Sequence, residues 1–347
     1  MALSKTSFLR RGLSTLCVAT LGAAAIAADA PPTTTRVLPR DVVQARHADA
    51  ASRFADLDGV RVHYKDEGQG PAILLVHGTF GDLADWDGWV QVLKPRYRVV
   101  RLDLPAFGLT GAIPSGNYSV ERKHLVIDAL MDHLGIERFA IAGDSYGGLV
   151  AFRYAATRTE RVTALVLANS AGIQFGQRAS ATSAPPAASA APAAPAASAP
   201  AYVITTDPRV TYADAESFLR FLLNDSPLIT PALIQRKLDF TNTAGRLEES
   251  VASVRFYERG SPQRVLAHVR APALVLWGGA GQALSTRTAD AFLDAMKNAR
   301  VREKILYPDG GHIINLQRAQ ETSTDVKAFL DRVISAEDRA AAPRRVP

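Results

Sequence analysis

One serine of this chain lies in a pattern that suits nucleophilic chemistry. Residues 141–148 read I-A-G-D-S-Y-G-G, a G-x-S-x-G pattern centred on Ser145. An apolar run precedes the pattern and helix-forming residues follow it, which predicts a sharp turn between a strand and a helix. Such a turn lifts the hydroxyl out of the backbone, and Gly143 and Gly147 let the strand and the helix approach each other without a Cβ clash. The pattern therefore indicates a nucleophilic serine.

Two further segments accompany this serine in a meaningful chain order. Residues 74–79 read L-L-V-H-G-T, a buried strand that ends in a His-Gly turn. The sequence Gly310-Gly311-His312 follows the strand-like segment 304–307. A strand with its turn, then the serine and then a late histidine is the order found in α/β-hydrolases, so His312 is the candidate general base.

From about residue 54 to 330 the chain resembles cap-bearing α/β-hydrolases related to meta-cleavage-product hydrolases, esterases and epoxide hydrolases. Residues 103–110, D-L-P-A-F-G-L-T, are similar to a D-L-P-G-F-G-x-S stretch of that family, with Ala106 in place of a glycine. The resemblance implies that the backbone N–H groups of Thr79 and Tyr146 form an oxyanion hole. Relatives with an aspartate nucleophile are disfavoured because the central position is Ser145.

The acid expected by this resemblance is missing. In the family a carboxylate commonly follows the Trp-Gly that ends a late strand, and here Gly281 stands at that position. The alternative family position, after the strand that follows the serine turn, holds Asn169, an amide. An acid orients the histidine and stabilises the imidazolium, and its replacement by an amide in a serine protease lowers turnover by about 10⁴.

Three interpretations stay open at this level. Another carboxylate reaches His312, and the candidates are Asp309, Asp144 and Asp82. Alternatively, the Ser-His pair works through water or Asn169, or the protein binds ligands without catalysis.

Composition agrees with a globular enzyme that has one large core. The chain has 347 residues, of which 47% are hydrophobic and 21% charged, with a net charge of +6. Because Lys and Arg form no cluster, no nucleic-acid surface is expected. The sequence predicts a cleaved signal peptide over 1–27, from its basic residues, the apolar run 13–27 and an A-x-A site. We therefore expect a periplasmic or secreted protein without a lasting membrane anchor. Neither a cofactor nor a metal is expected.

Alternating strand and helix patterns predict an α/β fold: a mostly parallel central sheet with helices on both faces. We expect a polar leader at 28–53, core segments at 54–170 and 271–335, and a flexible tail at 336–347. The alternation stops over 171–270, where a helical cap is predicted. Its residues 180–201 are almost pure Ala, Pro and Ser and are predicted to be disordered.

The sequence therefore predicts a serine hydrolase with an atypical triad, acting on a small-molecule carboxylic ester with an apolar acyl or aryl group. The alternatives are a carbon-carbon bond hydrolase of the meta-cleavage type and a non-catalytic binding protein. The oligomeric state is not predicted.

Overall fold

The computed structural model of the protein describes residues 37–173, 210–255 and 260–340. The predicted signal peptide and the Ala/Pro/Ser segment lie outside these residues, so both stay predictions.

A central sheet of eight strands forms the frame of the molecule. Its spatial order is β1-β2-β4-β3-β5-β6-β7-β8. β1 and β2 run antiparallel to their neighbours, and β4, β3, β5, β6, β7 and β8 are mutually parallel. The prediction of a mostly parallel sheet is thus confirmed. The strands are β1 Arg53–Leu57, β2 Val60–Glu67, β3 Ala72–Val76, β4 Arg98–Leu102, β5 Phe139–Asp144, β6 Val162–Ala168, β7 Ala273–Gly278 and β8 Arg302–Tyr307.

Helices cover both faces of the sheet because the central strands are apolar on both sides. In β3, Leu74 and Val76 face one apolar cluster, and Ile73 and Leu75 face the other. The first cluster includes residues of α3, α4, α8 and α9, and the second includes residues of α2 and α11. The helices of the core are α2 Asp87–Leu93, α3 Val120–His133, α4 Ser145–Thr157, α8 Pro262–Leu266, α9 Arg287–Ala295, α10 Ile314–Gln317 and α11 Ala319–Val333.

Three helices form the described part of the cap: α5 Tyr212–Leu223, α6 Pro231–Thr241 and α7 Arg246–Arg255. Helix α8 also falls within the predicted cap segment 171–270, but its Leu266 packs in the core cluster. Helices α5 and α6 begin at threonines, Thr211 and Thr230, whose side chains accept hydrogen bonds from backbone N–H groups of the first turn. The apolar residues of α5 and α6 pack in a cluster of their own, which also includes Ile313 beside the candidate base. The cap therefore packs directly onto the segment that carries His312.

The structure describes parts of the predicted leader and of the predicted tail. The leader contains helix α1 Arg40–His47, which packs on the cap. There His47 Nε2 lies 2.8 Å from Asp239 of α6, and the N–H of Leu38 donates to the Asn242 carbonyl. At the other end, residues predicted as flexible form helix α12 Ala336–Ala340. Residues 37–53 of the leader thus contact the cap, and the described part of the tail bonds to α11, where Arg339 donates to the Leu330 and Asp331 carbonyls. No helix within the described ranges is long and apolar enough to cross a membrane.

Candidate active site

Ser145 occupies a strained turn between β5 and α4. Its φ is +47°, in the left-handed region that residues other than glycine rarely adopt. The turn depends on Gly147, since a Cβ there would lie 2.2 Å from the Val76 carbonyl oxygen. Strain of this kind persists only where the surroundings impose it, and here it directs a half-buried hydroxyl outward from the sheet edge.

His312 meets Ser145 although the two residues are 167 positions apart. The Nε2 atom of His312 lies 2.9 Å from Ser145 Oγ, within hydrogen-bonding distance. Both residues follow parallel strands, β5 and β8, at their carboxyl ends, which is where open α/β sheets assemble ligand sites. Burial lowers the pKa of His312 to about 4. The imidazole is therefore neutral at pH 7 and able to accept the serine proton.

The second nitrogen of this histidine has no partner among the described residues. His312 Nδ1 is buried and makes no hydrogen bond there. Of the predicted acids, Asp309 is almost fully exposed on its turn and faces Arg318. Asp144 accepts a hydrogen bond from the Gly78 N–H, and Asp82 binds cationic side chains of the cap. Thus none of the three carboxylates reaches Nδ1.

Asn169 holds the backbone of the histidine segment rather than the imidazole. Its Nδ2 donates to the carbonyls of Gly311 and His312, at 2.9 and 2.6 Å, and its Oδ1 accepts from the Gly278 N–H. This role requires both donors and an acceptor, which an amide offers and a carboxylate does not. Asn169 therefore fixes where His312 lies without stabilising its charged form.

Gly281 lies beside the candidate base, as the resemblance implies for the acid position. A Cβ added there would lie 3.4 Å from the backbone nitrogen of His312. The backbone of Gly281 is outside the left-handed region, so a side chain is compatible with its conformation. The residue at the position that the resemblance implies for the acid thus lies next to His312, but it is a glycine and has no side chain.

The predicted oxyanion donors belong to two segments that meet at Ser145. Thr79 lies in the turn after β3, and Tyr146 is the second residue of α4. A Cβ added to Gly78 would lie 2.9 Å from the Ser145 Cβ, so this turn contacts the nucleophile directly. We call residues 78–82 the oxyanion turn.

Buried carboxyl groups anchor both ends of the oxyanion turn. At its start, Asp144 Oδ1 accepts the Gly78 N–H at 3.0 Å. Burial, with the nearby charge of Asp85, raises the pKa of Asp144 to about 8. At its end, Asp82 begins the short 3-10 helix Leu83–Trp86 and forms a reciprocal capping box with Asp85. The position of the turn is therefore fixed by hydrogen bonds on both sides.

Two cap residues not identified from the sequence complete this anchor. Arg236 and Lys237 of α6 bind Asp82 at 2.7 and 2.8 Å, and Lys237 also binds Asp85 at 2.6 Å. Burial alone would raise the pKa of Asp82, but the two cations reverse this effect and hold the pKa well below its usual value. The only signal in the sequence was a pair of cations in a cap helix, which is more often a solvated surface.

Aromatic side chains of the oxyanion turn and the cap lie next to each other. The ring centroids of Phe80 and Phe218 are 5.1 Å apart, and those of Phe218 and Phe221 are 6.3 Å apart. All three side chains are partly exposed, so an apolar surface remains beside the turn.

Comparisons with known proteins agree with this architecture. A family model described as alpha/beta hydrolase fold matches residues 71–319. The 2-hydroxy-6-oxononadienedioate/2-hydroxy-6-oxononatrienedioate hydrolase of Burkholderia vietnamiensis is 27% identical, over 82% of this chain and 96% of that protein. The dihydrolipoyllysine-residue acetyltransferase component of the acetoin cleaving system of Cupriavidus necator is also 27% identical, over 84% of this chain and 72% of that protein. The solved structure of a membrane phospholipase A superposes with a TM-score of 0.65 and 23% identity, covering 86% of this chain and 90% of that one.

Proposed function

Because the chain belongs to the alpha/beta hydrolase family, we propose that it hydrolyses carboxylic esters through an acyl-enzyme on Ser145. The observation that carries the proposal is the 2.9 Å contact between Ser145 Oγ and His312 Nε2. A nucleophile within hydrogen-bonding distance of a neutral base, next to backbone donors, is the arrangement that acyl transfer requires.

The reaction follows from these positions. Ser145 Oγ attacks the ester carbonyl carbon while its proton passes to His312 Nε2. The carbonyl oxygen becomes an oxyanion, which the N–H groups of Thr79 and Tyr146 stabilise. The tetrahedral intermediate then collapses, and the alcohol leaves with the proton from Nε2. Water, deprotonated by the same nitrogen, releases the acid and restores the serine.

The missing acid makes this a slow catalyst. The imidazolium formed during attack has no carboxylate at Nδ1, and its low pKa of about 4 weakens proton transfer. A triad without one member still accelerates the reaction roughly 10³- to 10⁴-fold over water, through the oxyanion hole and substrate binding. We propose weak but measurable turnover by a Ser-His pair.

The apolar surface formed by Phe80, Phe218 and Phe221 supports an apolar acyl or aryl group in the substrate. Esters of graded chain length test this choice. Activity should increase with apolar acyl length until the surface is filled, whereas a preference for acetate or for charged acyl groups would contradict it.

A fluorophosphonate probe, which reacts only with activated serines, tests the proposed function itself. We expect stoichiometric labelling of the folded protein, lost in Ser145→Ala and strongly slowed in His312→Ala. Ser170→Ala is a matched control, because that buried serine donates to the Ala171 carbonyl and makes no hydrogen bond to Ser145 or His312 among the described residues. No labelling of well-folded wild-type protein would favour a binding protein on a hydrolase scaffold.

Carbon-carbon bond hydrolysis is a second candidate, favoured by the similarity to the dienedioate hydrolase of Burkholderia vietnamiensis. The same serine and histidine would act on a vinylogous diketone. Such compounds are coloured, so their bleaching by wild-type protein and not by Ser145→Ala would support this reaction. Bleaching faster than ester hydrolysis would replace the ester proposal.

We also propose export, from the basic start, apolar run and A-x-A site of residues 1–27. N-terminal sequencing of the protein from a periplasmic or culture fraction should show a start shortly after Ala27. An intact Met1 in the soluble cell interior would contradict export.

A further inference from the structure

We propose that Arg236 and Lys237 are positioning residues for the oxyanion turn, so that the cap completes the acyl-transfer site as well as covering it. The inference rests on the proposed function, because an oxyanion turn has a catalytic meaning only in a hydrolase. It assigns to the cap a role in turnover in addition to the choice of substrate.

The contacts place both cations on the carboxylates that end the turn. Lys237 Nζ bridges Asp82 and Asp85, and Arg236 binds Asp82 through two of its nitrogens. The side chains of Asp82, Asp85 and Lys237 are almost fully buried, and that of Arg236 is 23% exposed. Contacts of this kind inside a protein are screened little by water, so they constrain the turn strongly.

Charge balance makes the cap necessary for this arrangement. Asp82 and Asp85 share a capping box, which brings two carboxylates together in a buried place. Without cations these groups repel each other, and burial together with the charge of Asp82 already raises the pKa of Asp85. Two cations from one turn of α6 neutralise the pair. The core therefore supplies the two carboxylates, and the cap supplies the two cations that bind them.

The turn itself needs outside support. Phe80, directly after Thr79, has a φ of +64°, a conformation that a bulky residue maintains only when its neighbours impose it. The ring of this residue packs on Phe218 of the cap. With the Asp82 anchor loosened, the turn is free to relax and to move the Thr79 N–H away from the oxyanion.

The cap also bonds to the histidine side of the site. The N–H of His312 donates to the Leu222 carbonyl at 2.8 Å, and Gln317 Nε2 donates to the Leu223 carbonyl at 2.9 Å. Cap residues thus hold both segments that flank Ser145. This agrees with a cap that orders the reacting groups when it is seated on the core.

A charge-balanced variant tests the inference with the full-length protein. Lys237→Gln together with Asp85→Asn removes one cation and one anion, and it leaves no unpaired buried charge. Arg236→Gln removes the partly exposed cation alone. Arg220→Gln is the matched control, because among the described residues Arg220 pairs with Glu216 and Asp225 of the cap and not with the oxyanion turn. For each variant, kcat and KM on a chromogenic ester and the affinity for a boronic acid are measured well below the melting temperature.

We expect kcat to fall between about tenfold and a hundredfold in the double variant, because loss of one oxyanion donor lowers kcat by about 10² to 10³. KM should change little, and boronate affinity should fall with kcat, since boronate forms a tetrahedral anion. Arg236→Gln should show the same pattern with a smaller effect. A purely structural role would lower the melting temperature without this kcat and boronate signature.

Wild-type values of kcat and boronate affinity in folded Arg236→Gln and in the folded double variant would overturn the inference. If the double variant does not fold, Arg236→Gln decides alone. Failure of the proposed function gives a different result, because wild-type protein would then not react with the fluorophosphonate. A reactive wild type with equally reactive variants would refute the positioning role only.

Discussion

The two segments that flank Ser145 differ in how completely their polar groups find partners. The oxyanion turn is anchored by Asp144 at its start and by Asp82 at its end, and the cap cations neutralise Asp82. On the other side, the His312 imidazole is bonded only through Nε2, and its Nδ1 has no partner among the residues that the structure describes. The charged groups of the oxyanion turn are thus paired, whereas only one of the two imidazole nitrogens of His312 has a partner among the described residues.

The difference separates two tasks that a triad acid usually combines. Asn169 and the Leu222 carbonyl fix the backbone of His312, so the base is correctly placed. No described group stabilises its charged form, and burial therefore lowers the pKa of His312 to about 4. The placement of the base is thus separate from the stabilisation of its charge, and the described residues provide the placement alone.

The largest effect is expected from Gly281→Asp, which restores the missing support. The new carboxylate would branch from a Cβ that lies 3.4 Å from the backbone nitrogen of His312, at the position where the resemblance places the acid. We expect ester turnover to rise by at least about tenfold, as the reverse type of change in a serine protease lowers it by about 10⁴. The acidic limb of the kcat/KM profile should also move upward from about pH 4, because an anion raises the pKa of His312.

Gly281→Asn and Gly281→Ala are the matched controls for that gain. Asparagine has the shape without the charge, and alanine adds only the Cβ, which must displace its backbone neighbours by a few tenths of an ångström. An equal rise in Gly281→Asn would assign the gain to packing. No rise in a folded Gly281→Asp protein would mean that charge support at Nδ1 does not limit the rate.

Asn169→Asp should damage the protein instead of restoring a triad. The change removes the two donors to Gly311 and His312 and places an anion against those carbonyls. We expect the free energy of unfolding to fall by about 3 kcal/mol, because each buried group left without a partner costs about 1 to 3 kcal/mol. Urea denaturation measures this loss. Asn224→Asp, which removes one donor to Ala280 at a more exposed site, should have a smaller effect.

A stable Asn169→Asp protein with raised esterase activity would contradict the backbone role of Asn169. It would show that position 169 supports the imidazole rather than the backbone.

Asp144→Asn should change how stability depends on pH. The pKa of Asp144 is about 8 in the folded state and about 3.8 when unperturbed, so the folded protein binds more protons between these values. This carboxyl therefore contributes stability below about pH 4, which is lost as pH rises towards 8, at roughly 1.4 kcal/mol per pH unit. Asparagine resembles the protonated acid, so the variant should gain stability over wild type as pH rises.

Unfolding free energies at pH 5, 7 and 9 measure this effect. A wild-type minus variant difference that stays constant with pH would show that Asp144 is ionised throughout.

The smallest effect is expected from Asp309→Asn. Asp309 was a sequence candidate for the acid, but its side chain is 89% exposed and faces Arg318 at 3.6 Å. Ester turnover and its pH profile should stay within twofold of wild type. A large loss of kcat would indicate that Asp309 acts as the acid for His312.

Much of the fold was predictable because short stretches of sequence indicate individual strands and turns. Apolar strand runs and the glycine turn around Ser145 identified the sheet and the nucleophile, and the order of segments suggested His312 before any distance was known. The anchor formed by Lys237, Asp82 and Asp85 was not predictable, because no motif links its cation to its carboxylates and a charged pair in a cap helix more often faces solvent. The role of Asn169 was equally hidden, since composition does not distinguish a backbone clamp from a substitute acid.

Long-range ¹H–¹⁵N NMR follows the protonation of each histidine side chain and therefore shows whether His312 lacks an acid partner. We expect the imidazole signal that is missing in His312→Gln to stay neutral until about pH 4, and its pKa to rise in Gly281→Asp. A His312 that is already protonated at pH 6.5 or above in the wild-type protein would reveal a partner at Nδ1 and contradict the Ser-His pair without an acid.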